Sequence, residues 1–362
     1  MRVRAVGIAL LCVSGVSNLG WAQSPSPKLE VVSPKPRDII ATGINERGDV
    51  IGFEWVEEKE RPGVIEQKPF FARGKEMTYL PLLKGYTATF PAAVSDNGLV
   101  VGRVSKPAPP GVSIPYRNLA FLWDAAGGIR SLGVLKDDNA SFACGISRDG
   151  RRISGFSIGT YRVRACVWDR DADGKTWNGT PLPQKEQLGS NTVALSRNGD
   201  FAAAVDGTVP CLWSRDASGQ WKQQVLGESA SLVPRAVNDQ GTVVGVRFGV
   251  NGHNRAAVWS RTQGYMLLNL PDGYDRSEAM AINNHGLIVG SLDGPSTSNI
   301  DPRAFVFHDG RLRVVNEAGP LFASATAIND KGQIAGVLEE PEPHDDDHHH
   351  DAPAPANKPD RK

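Results

Sequence analysis

The sequence lacks the features that mark several large classes of protein. It has no excess charge of one sign, because 40 Lys and Arg residues balance 40 Asp and Glu residues. No basic cluster interleaved with aromatic residues is present, and this argues against nucleic-acid binding. No apolar stretch is long enough to cross a bilayer as a helix, which predicts no transmembrane segment. A phosphate-binding loop, a metalloprotease helix and a Gly-x-Ser-x-Gly elbow are also missing.

What the sequence does have is a short phrase that occurs seven times. An apolar residue is followed by Asn or Ser, two variable residues, Gly and an apolar segment. The glycines lie roughly 42 to 52 residues apart, a period typical of propellers, solenoids and arrays. The copies are Ile44–Gly48, Val94–Gly98, Ile146–Gly150, Leu195–Gly199, Val237–Gly241, Ile282–Gly286 and Ile328–Gly332.

Each phrase predicts a tight hairpin. An Asn or Ser side chain at the start bonds to the nearby backbone, and Gly supplies the positive φ that ends such a turn. A second Gly, such as Gly102, follows four residues later and predicts a close backbone approach or a bend within the strand. The third repeat inserts one residue before Gly155, and the fourth has Ala203 or Ala204 instead.

A third, aromatic-bearing segment and a fourth short strand follow most hairpins. The best third segments are Ala120–Trp123, Ala165–Trp168, Pro210–Trp213, Ala256–Trp259 and Ala304–Phe307. Four strands are the content of one propeller blade, so we predict an all-β propeller whose Trp residues pack between blades. The seventh hairpin is left short of partners, and the apolar segment 28–32 is the strand expected to complete it. Seven blades closed by this N-terminal strand are therefore predicted, with six blades and a decorated junction as the alternative.

The hairpin followed by an Ala-Phe-Leu-Trp strand resembles the HAF-type extracellular repeat. The residues that carry the resemblance are Ala327–Gly336, Ala281–Gly290 and Ala120–Trp123. The resemblance extends, in weaker copies, over most of the chain. It implies a bacterial, exported, propeller-like protein, and it implies no particular activity.

The first 22 residues have the pattern of a secretory signal. Arg2 and Arg4 form a basic start, Val6–Val16 is apolar, and the small residues around Ala22 predict cleavage before Gln23. We therefore expect a periplasmic or extracellular protein. Residues 23–339 are predicted to form one propeller domain, and residues 340–362 a disordered tail.

Three cysteines follow the predicted signal: Cys144, Cys166 and Cys211. An odd number excludes complete internal pairing. One disulfide is an alternative, since Cys166 and Cys211 take equivalent places in successive repeats. Other repeats carry Phe or Ala at that place, so we expect buried thiols that act as small hydrophobic side chains.

Two segments carry residue types that bind metals. Asp169, Asp171 and Asp173, followed by Gly, alternate as in a calcium loop, but the closing Glu of such a loop is missing. A polar hairpin turn is the simpler interpretation, and calcium is the alternative. The tail contains His344, His348, His349 and His350, which suit zinc, copper or nickel, although such a tail also serves solubility alone. No other cofactor is predicted.

These observations favour a monomeric, non-enzymatic scaffold that binds a protein, a glycan or an envelope component through loops on one face. The alternative is a propeller hydrolase or lyase whose site lies in the central channel, where carboxylates from different blades converge. A purely structural surface protein is a third interpretation. Polar residues meeting at the axis favour the enzyme, whereas exposed apolar residues on the loops favour the binding scaffold.

Overall fold

The computed structural model describes residues 5–12, 28–31, 38–57, 63–107, 116–186, 192–228, 231–250, 252–296, 300–315 and 321–339. All regular secondary structure in these ranges is β-strand, so the all-β prediction is confirmed. Within them there is accordingly no helix suited to crossing a membrane.

The described strands follow one another in the order β1 (Ala5–Cys12), β2 (Lys28–Val31), β3 (Asp38–Ile44), β4 (Val50–Glu57), β5 (Ile65–Arg73), β6 (Glu76–Tyr79), β7 (Ala88–Val94), β8 (Val100–Pro107), β9 (Tyr116–Asp124), β10 (Gly128–Gly133), β11 (Ala140–Ile146), β12 (Arg152–Ile158), β13 (Val163–Arg170), β14 (Trp177–Pro181), β15 (Ala194–Leu195), β16 (Phe201–Asp206), β17 (Val209–Arg215), β18 (Trp221–Val225), β19 (Val233–Val237), β20 (Val243–Val250), β21 (His253–Ser260), β22 (Gly264–Leu267), β23 (Arg276–Ile282), β24 (Ile288–Asp293), β25 (Arg303–His308), β26 (Arg311–Val314), β27 (Leu321–Ile328) and β28 (Gln333–Glu339).

The strands form antiparallel four-stranded sheets arranged as a β-propeller. Six blades each use four consecutive strands: β3–β6, β7–β10, β11–β14, β15–β18, β19–β22 and β23–β26. The first strands of neighbouring blades contact one another around the ring, so the first strand of each blade lies nearest the axis. The predicted propeller is thus confirmed, with six complete blades.

A composite sheet joins the two ends of the chain, in the order β2-β1-β28-β27. The predicted strand at 28–32 joins this sheet as β2, but it pairs with β1, and β1 pairs with β28. β1 lies within the predicted signal. Third strands of a blade are buried on both faces, as in β13, so they need a continuous apolar sequence such as that of β1. The preferred prediction of seven blades is therefore not supported, and the alternative of six blades with a decorated junction is.

The hairpin turns have the predicted chemistry. In the first turn, Asn45 Oδ1 accepts the backbone N–H groups of Arg47 and Asp49, each at 2.9 Å. The glycines that end the seven turns all have positive φ, between 67° and 83°. The turns therefore hold the first two strands of each blade together at one end of the propeller, which we call the turn end. The opposite end carries the second-to-third loops and the links between blades, and we call it the loop end.

The second glycine of each repeat does lie where two backbones approach closely. A Cβ at Gly102 would lie 2.0 Å from the carbonyl oxygen of Phe90. In the fourth blade Ala204 takes this place, because it lies opposite Cys211 as Gly155 lies opposite Cys166. The first strand there, β15, has only two residues and does not extend past this alanine.

The core lies between the blades, and the recurring tryptophans belong to it. Trp123, Trp168, Trp213 and Trp259 are all buried, as predicted. Trp168, for example, packs in one cluster with Leu99 of the preceding blade. Packing between blades, and not stacking of a ligand, is what these aromatic residues do.

Candidate functional site

Charged residues converge on the axis at the turn end. They occupy the position directly after the Asn or Ser of each hairpin phrase. We call this set the axial cluster; its members are Glu46, Asp96, Arg148, Arg197, Asp239, Asn284 and Asp330. The cluster contains four carboxylates and two guanidinium groups.

Hydrogen bonds link each turn to the next around a complete ring. The backbone N–H of Glu46 donates to Asp96 Oδ1 at 3.0 Å, and that of Asp330 donates to Glu46 Oε1 at 3.0 Å. The remaining links are Asp96 N to Arg148 O, Arg148 N to Arg197 O, Asn198 N to Asp239 Oδ1, Asp239 N to Asn284 Oδ1 and Asn284 N to Asp330 Oδ1. The last turn thereby bonds to the first, and the ring is closed at this end.

The two arginines reach beyond neighbouring blades. Arg197 Nη2 lies 3.1 Å from Glu46 Oε1 and 2.9 Å from Asp96 Oδ1. Arg148 Nη2 lies 2.7 Å from Asp239 Oδ2, two blades away.

On the other side of the cluster, Asn284 Nδ2 donates at 2.8 Å to both Asp239 and Asp330. Each of the four carboxylates thus accepts a backbone N–H and at least one side-chain donor or cation. Carboxylates paired in this way are poor general acids or bases, and the cluster ties the turn end together across the axis.

Above this cluster, the first strands present half-exposed side chains towards the axis. In β7 and β11 half-buried and buried residues alternate, because one face of an innermost strand packs on blades and the other meets the channel. The half-exposed residues of these two strands include Phe90, Ala92, Phe142 and Cys144. This side of the channel wall is therefore largely apolar and contains two aromatic rings.

The side chain of Arg103, on β8, lies against these two aromatic rings. Its guanidinium carbon lies 4.2 Å from the ring centroid of Phe90 and 5.7 Å from that of Phe142. Burial lowers the pKa of Arg103, and the nearby Cys144 opposes that shift only in part. Arg103 is thus a cation held between the first strands of the second and third blades.

A second polar group lies on the fifth and sixth blades. Arg235 Nη2 is 3.8 Å from Glu278 Oε2, and Asn254 Nδ2 donates to Glu278 Oε1 at 3.1 Å. The Nε of Arg235 is buried without a hydrogen-bond partner. The wall formed by these blades is accordingly polar.

The loop end differs from the turn end in its exposed surface. All ten large hydrophobic side chains that are exposed in the described residues lie at the loop end or on the halves of strands that lead to it. They are Trp55, Val64, Ile65, Tyr79, Leu82, Val134, Tyr161, Val225, Phe248 and Ile300. Tyr161 and Phe248 are the most exposed aromatic residues in this set, with 88% and 50% of their surface exposed.

The three aspartates of the suspected calcium loop are held by separate partners. Asp169 pairs with Arg152 at 2.6 Å, Asp171 accepts from the side chain of Asn178, and Asp173 accepts the backbone N–H of Lys175 at 2.8 Å. Within the described ranges, no three His, Cys, Asp or Glu side chains are grouped to hold a metal ion. The turn has the geometry of a polar hairpin, the interpretation favoured from the sequence, and calcium binding stays the untested alternative.

The other predicted metal ligands, His344 and His348–His350, lie outside the described residues. Cys144, Cys166 and Cys211 are all free, and Cys166 and Cys211 are buried. Burial raises the pKa of Cys144 and of Cys211 to about 11. Cys166 and Cys211 agree with the prediction of buried thiols that act as small hydrophobic side chains, whereas Cys144 is only half-buried.

Sequence reasoning missed both the axial cluster and Arg103. The cluster residues stand at one of the two variable positions of the phrase, yet all seven are charged or Asn. Arg103 follows the second Gly of its repeat, where the first and third repeats have Phe53 and Phe156. A comparison of the repeats position by position, searching for charge, finds both.

No protein-family model matches this chain, and no curated protein matches its sequence. Its fold is similar to that of solved propellers. The β-propeller domain of the Trilobed protease from Pyrococcus furiosus, described as having an open velcro topology, matches with a TM-score of 0.54 and 10% identity, over 83% of this chain and 90% of that one.

Two longer enzymes also contain a similar fold. Puromycin hydrolase matches with a TM-score of 0.51 and 14% identity, over 88% of this chain and 55% of its own. Pyrococcus horikoshii acylaminoacyl peptidase matches with a TM-score of 0.50 and 9% identity, over 83% of this chain and 51% of its own. The chain spans about half the length of these enzymes, and at such identities the likeness shows the propeller fold alone.

Proposed function

We propose that this protein is an exported, non-enzymatic propeller that binds a protein, a glycan or another component of the cell envelope through its loop end. The observation that carries the proposal is the one-sided distribution of exposed hydrophobic side chains. Solvent-exposed Tyr161 and Phe248 gain free energy when a partner removes them from water, and aromatic residues are enriched in binding interfaces. The polar turn end lacks such residues within the described chain.

The axial cluster supports a scaffold more than a catalyst. Its carboxylates converge on the axis, as a channel hydrolase or lyase requires, and this observation keeps the enzyme as a second candidate. Their oxygens, however, accept bonds from Arg148, Arg197 and backbone N–H groups. A carboxylate that holds two blades together is a poor proton donor to a substrate, because moving it costs those bonds.

Export is tested by the N-terminus of the protein recovered from the periplasm or the medium of a bacterial host. We expect the chain to begin at Gln23. A chain that keeps residues 1–22 after fractionation would refute cleavage and would agree with the place of β1 in the composite sheet.

Binding is tested with purified envelope glycans and a panel of purified periplasmic proteins immobilised on a sensor. The variant Tyr161→Ser/Phe248→Ser should lose most of the response of the wild type. Arg261→Ser, at an exposed position of the turn end, is the control and should bind as the wild type does. Equal binding by both variants would reject the loop end as the binding surface, and turnover of a glycan or peptide in the same samples would favour the enzyme.

A further inference from the structure

We propose that Arg103 and the aromatic rings around it bind a carboxylate that carries an adjacent apolar or aromatic group. The site lies in the channel wall between the second and third blades. The inference rests on the proposed function, because it names the chemical class of a ligand that the binding propeller takes.

The first observation is that Arg103 has no anionic partner among the described residues. Within the described chain its contacts are the two aromatic rings, and no carboxylate forms an ion pair or hydrogen bond with it. Two other half-buried arginines, by contrast, have carboxylate partners: Arg164 lies 2.8 Å from Asp138, and Arg152 lies 2.6 Å from Asp169. Removing a cation from water without a partner is costly, so an unpaired half-buried arginine is a place where a ligand anion is favoured.

The second observation concerns charge along the chain. Between Asp96 and Asp124 there is no Asp or Glu, but there are three cations: Arg103, Lys106 and Arg117. Lys106 and Arg117 lie opposite each other near the loop end of the same blade. Positive side chains near the loop end of this blade attract anions and raise their rate of association.

The third observation is the geometry of the rings. The flat face of the Arg103 guanidinium lies over the ring of Phe90. The N–H groups at the edge of the guanidinium therefore remain available to donate to a planar carboxylate. Phe142 stacks on Phe156 with ring centroids 4.5 Å apart, and Phe53 lies 6.0 Å from Phe90. Phe53 and Phe156 are buried, whereas Phe90 and Phe142 are only half-buried and offer an apolar surface to whatever group stands next to the carboxylate.

The axial cluster determines from which end of the propeller a ligand can reach Arg103. Arg148 and Arg197 cross the turn end and tie its carboxylates together, so a ligand enters from the loop end. Two sources present the required chemistry: a free aromatic acid, and the C-terminal carboxylate of a peptide that ends in an apolar residue. The test separates them.

The experiment uses isothermal titration of the full chain with four probes. They are N-acetyl-phenylalanine, its amide, a short peptide ending in Phe with a free carboxylate, and the same peptide as its C-terminal amide. We expect each acid to bind at least about tenfold more tightly than its amide, because the amide lacks the charge that Arg103 pairs with. A preference for the peptide acid over the small acid identifies a chain terminus as the source, and the reverse identifies a free acid.

The variant Arg103→Gln removes the charge and keeps a polar, although shorter, side chain. It should reduce acid binding to the level of the amide. Its melting temperature should equal or exceed that of the wild type, since it removes an unpaired half-buried cation. Arg103→Lys keeps the charge without the planar fork and should bind with intermediate affinity. Arg261→Gln is the matched control, because Arg261 is an exposed arginine in a turn.

The inference is overturned if acids and amides bind the wild type equally, if no probe binds, or if Arg103→Gln binds the acids unchanged. The result of this test is independent of the result of the binding test for the proposed function. Variants at Tyr161 and Phe248 test the loop end with envelope ligands, and they leave Arg103 in place. Loss of envelope binding in those variants, together with unchanged acid binding by Arg103→Gln, would reject the carboxylate site alone.

Discussion

Asn329, in the last hairpin turn, donates from Nδ2 to the backbone carbonyl oxygen of Asn45, in the first turn, at 2.9 Å. The two residues are 284 positions apart in the chain. Equivalent bonds join successive turns, such as that from Asn238 Nδ2 to the carbonyl oxygen of Asn283. The same side chain that organises a local hairpin therefore also closes the ring.

The double role of Asn329 is separable by substitution. Asn329→Ala removes both the bond to Asn45 and the bond from Gln333 N to Asn329 Oδ1. We expect the free energy of unfolding, measured with urea, to fall by about 1–3 kcal/mol. Asn329→Ser should lose less, because Ser95 in its own turn accepts the backbone N–H of Leu99 and keeps the local turn. A serine variant as stable as the wild type would show that the bond across the junction contributes nothing.

Gly102 should not tolerate a side chain. The Cβ of Gly102→Ala would lie 2.0 Å from the carbonyl oxygen of Phe90, and neither backbone is free to move within a four-stranded blade. We expect a loss of about 3 kcal/mol or more in the free energy of unfolding, at the upper end for overpacking. The reverse change in the fourth blade, Ala204→Gly, is the control and should cost only about 1 kcal/mol. Similar thermal stability of Gly102→Ala and wild type would contradict the close approach.

The environment of Asp138 predicts that the free energy of unfolding depends on pH. Burial by itself raises the pKa of this carboxyl, but hydrogen bonds from Arg164 and Arg162 contribute to an opposite, larger effect that leaves the pKa below its ordinary value. A carboxylate with a lowered pKa stabilises the fold above its unfolded pKa of about 4, and this contribution is lost as pH falls through the folded pKa.

Asp138→Asn should therefore lower the free energy of unfolding at pH 7 by about 1.5–3 kcal/mol, the value for bonds to a charged group. The difference from wild type should shrink in urea titrations at pH below about 4. Asp137→Asn is the control, because the side chain of Asp137 is exposed and lies 3.9 Å from Arg162. A difference at Asp138 that is the same at every pH would contradict the assignment.

The three thiols of a chain processed after Ala22 should be unreactive in the folded state. Burial raises the pKa of Cys144 to about 11 and that of Cys166 well above its ordinary value, so little thiolate exists at pH 8. We expect negligible reaction with Ellman's reagent until denaturant is added. All three thiols should then react without any reductant. Fewer than three reactive thiols in denaturant would reveal a disulfide.

Calcium should leave the melting temperature unchanged. Asp169 is already paired with Arg152, and Asp171 and Asp173 accept bonds from within the turn. A ligand that binds only the folded state raises its stability, so a true site would show a concentration-dependent rise. The matched comparison is Asp171→Ala. A rise with calcium that disappears in this variant would establish the calcium loop.

The sequence alone determined the fold class and the repeating hairpin of this protein. Turn chemistry is local: Asn45 and Gly48 bond within a few residues of each other, so their spacing predicts the turn wherever it occurs. The close approach at Gly102 and the burial of Trp168 are equally readable, because each repeat places them on the same strand of a blade.

Only the tertiary structure decided which residues meet at the axis. Arg148 and Asp239 are 91 residues apart, and no local pattern indicates that they lie 2.7 Å from each other. The same holds for Arg103, whose ring partner Phe142 belongs to the next blade. Ring closure brings together one residue from each repeat. Whether such a residue finds a partner depends on the residues that all the other repeats place at the axis. The repeat sets the position of each side chain, and the closed ring sets its neighbours.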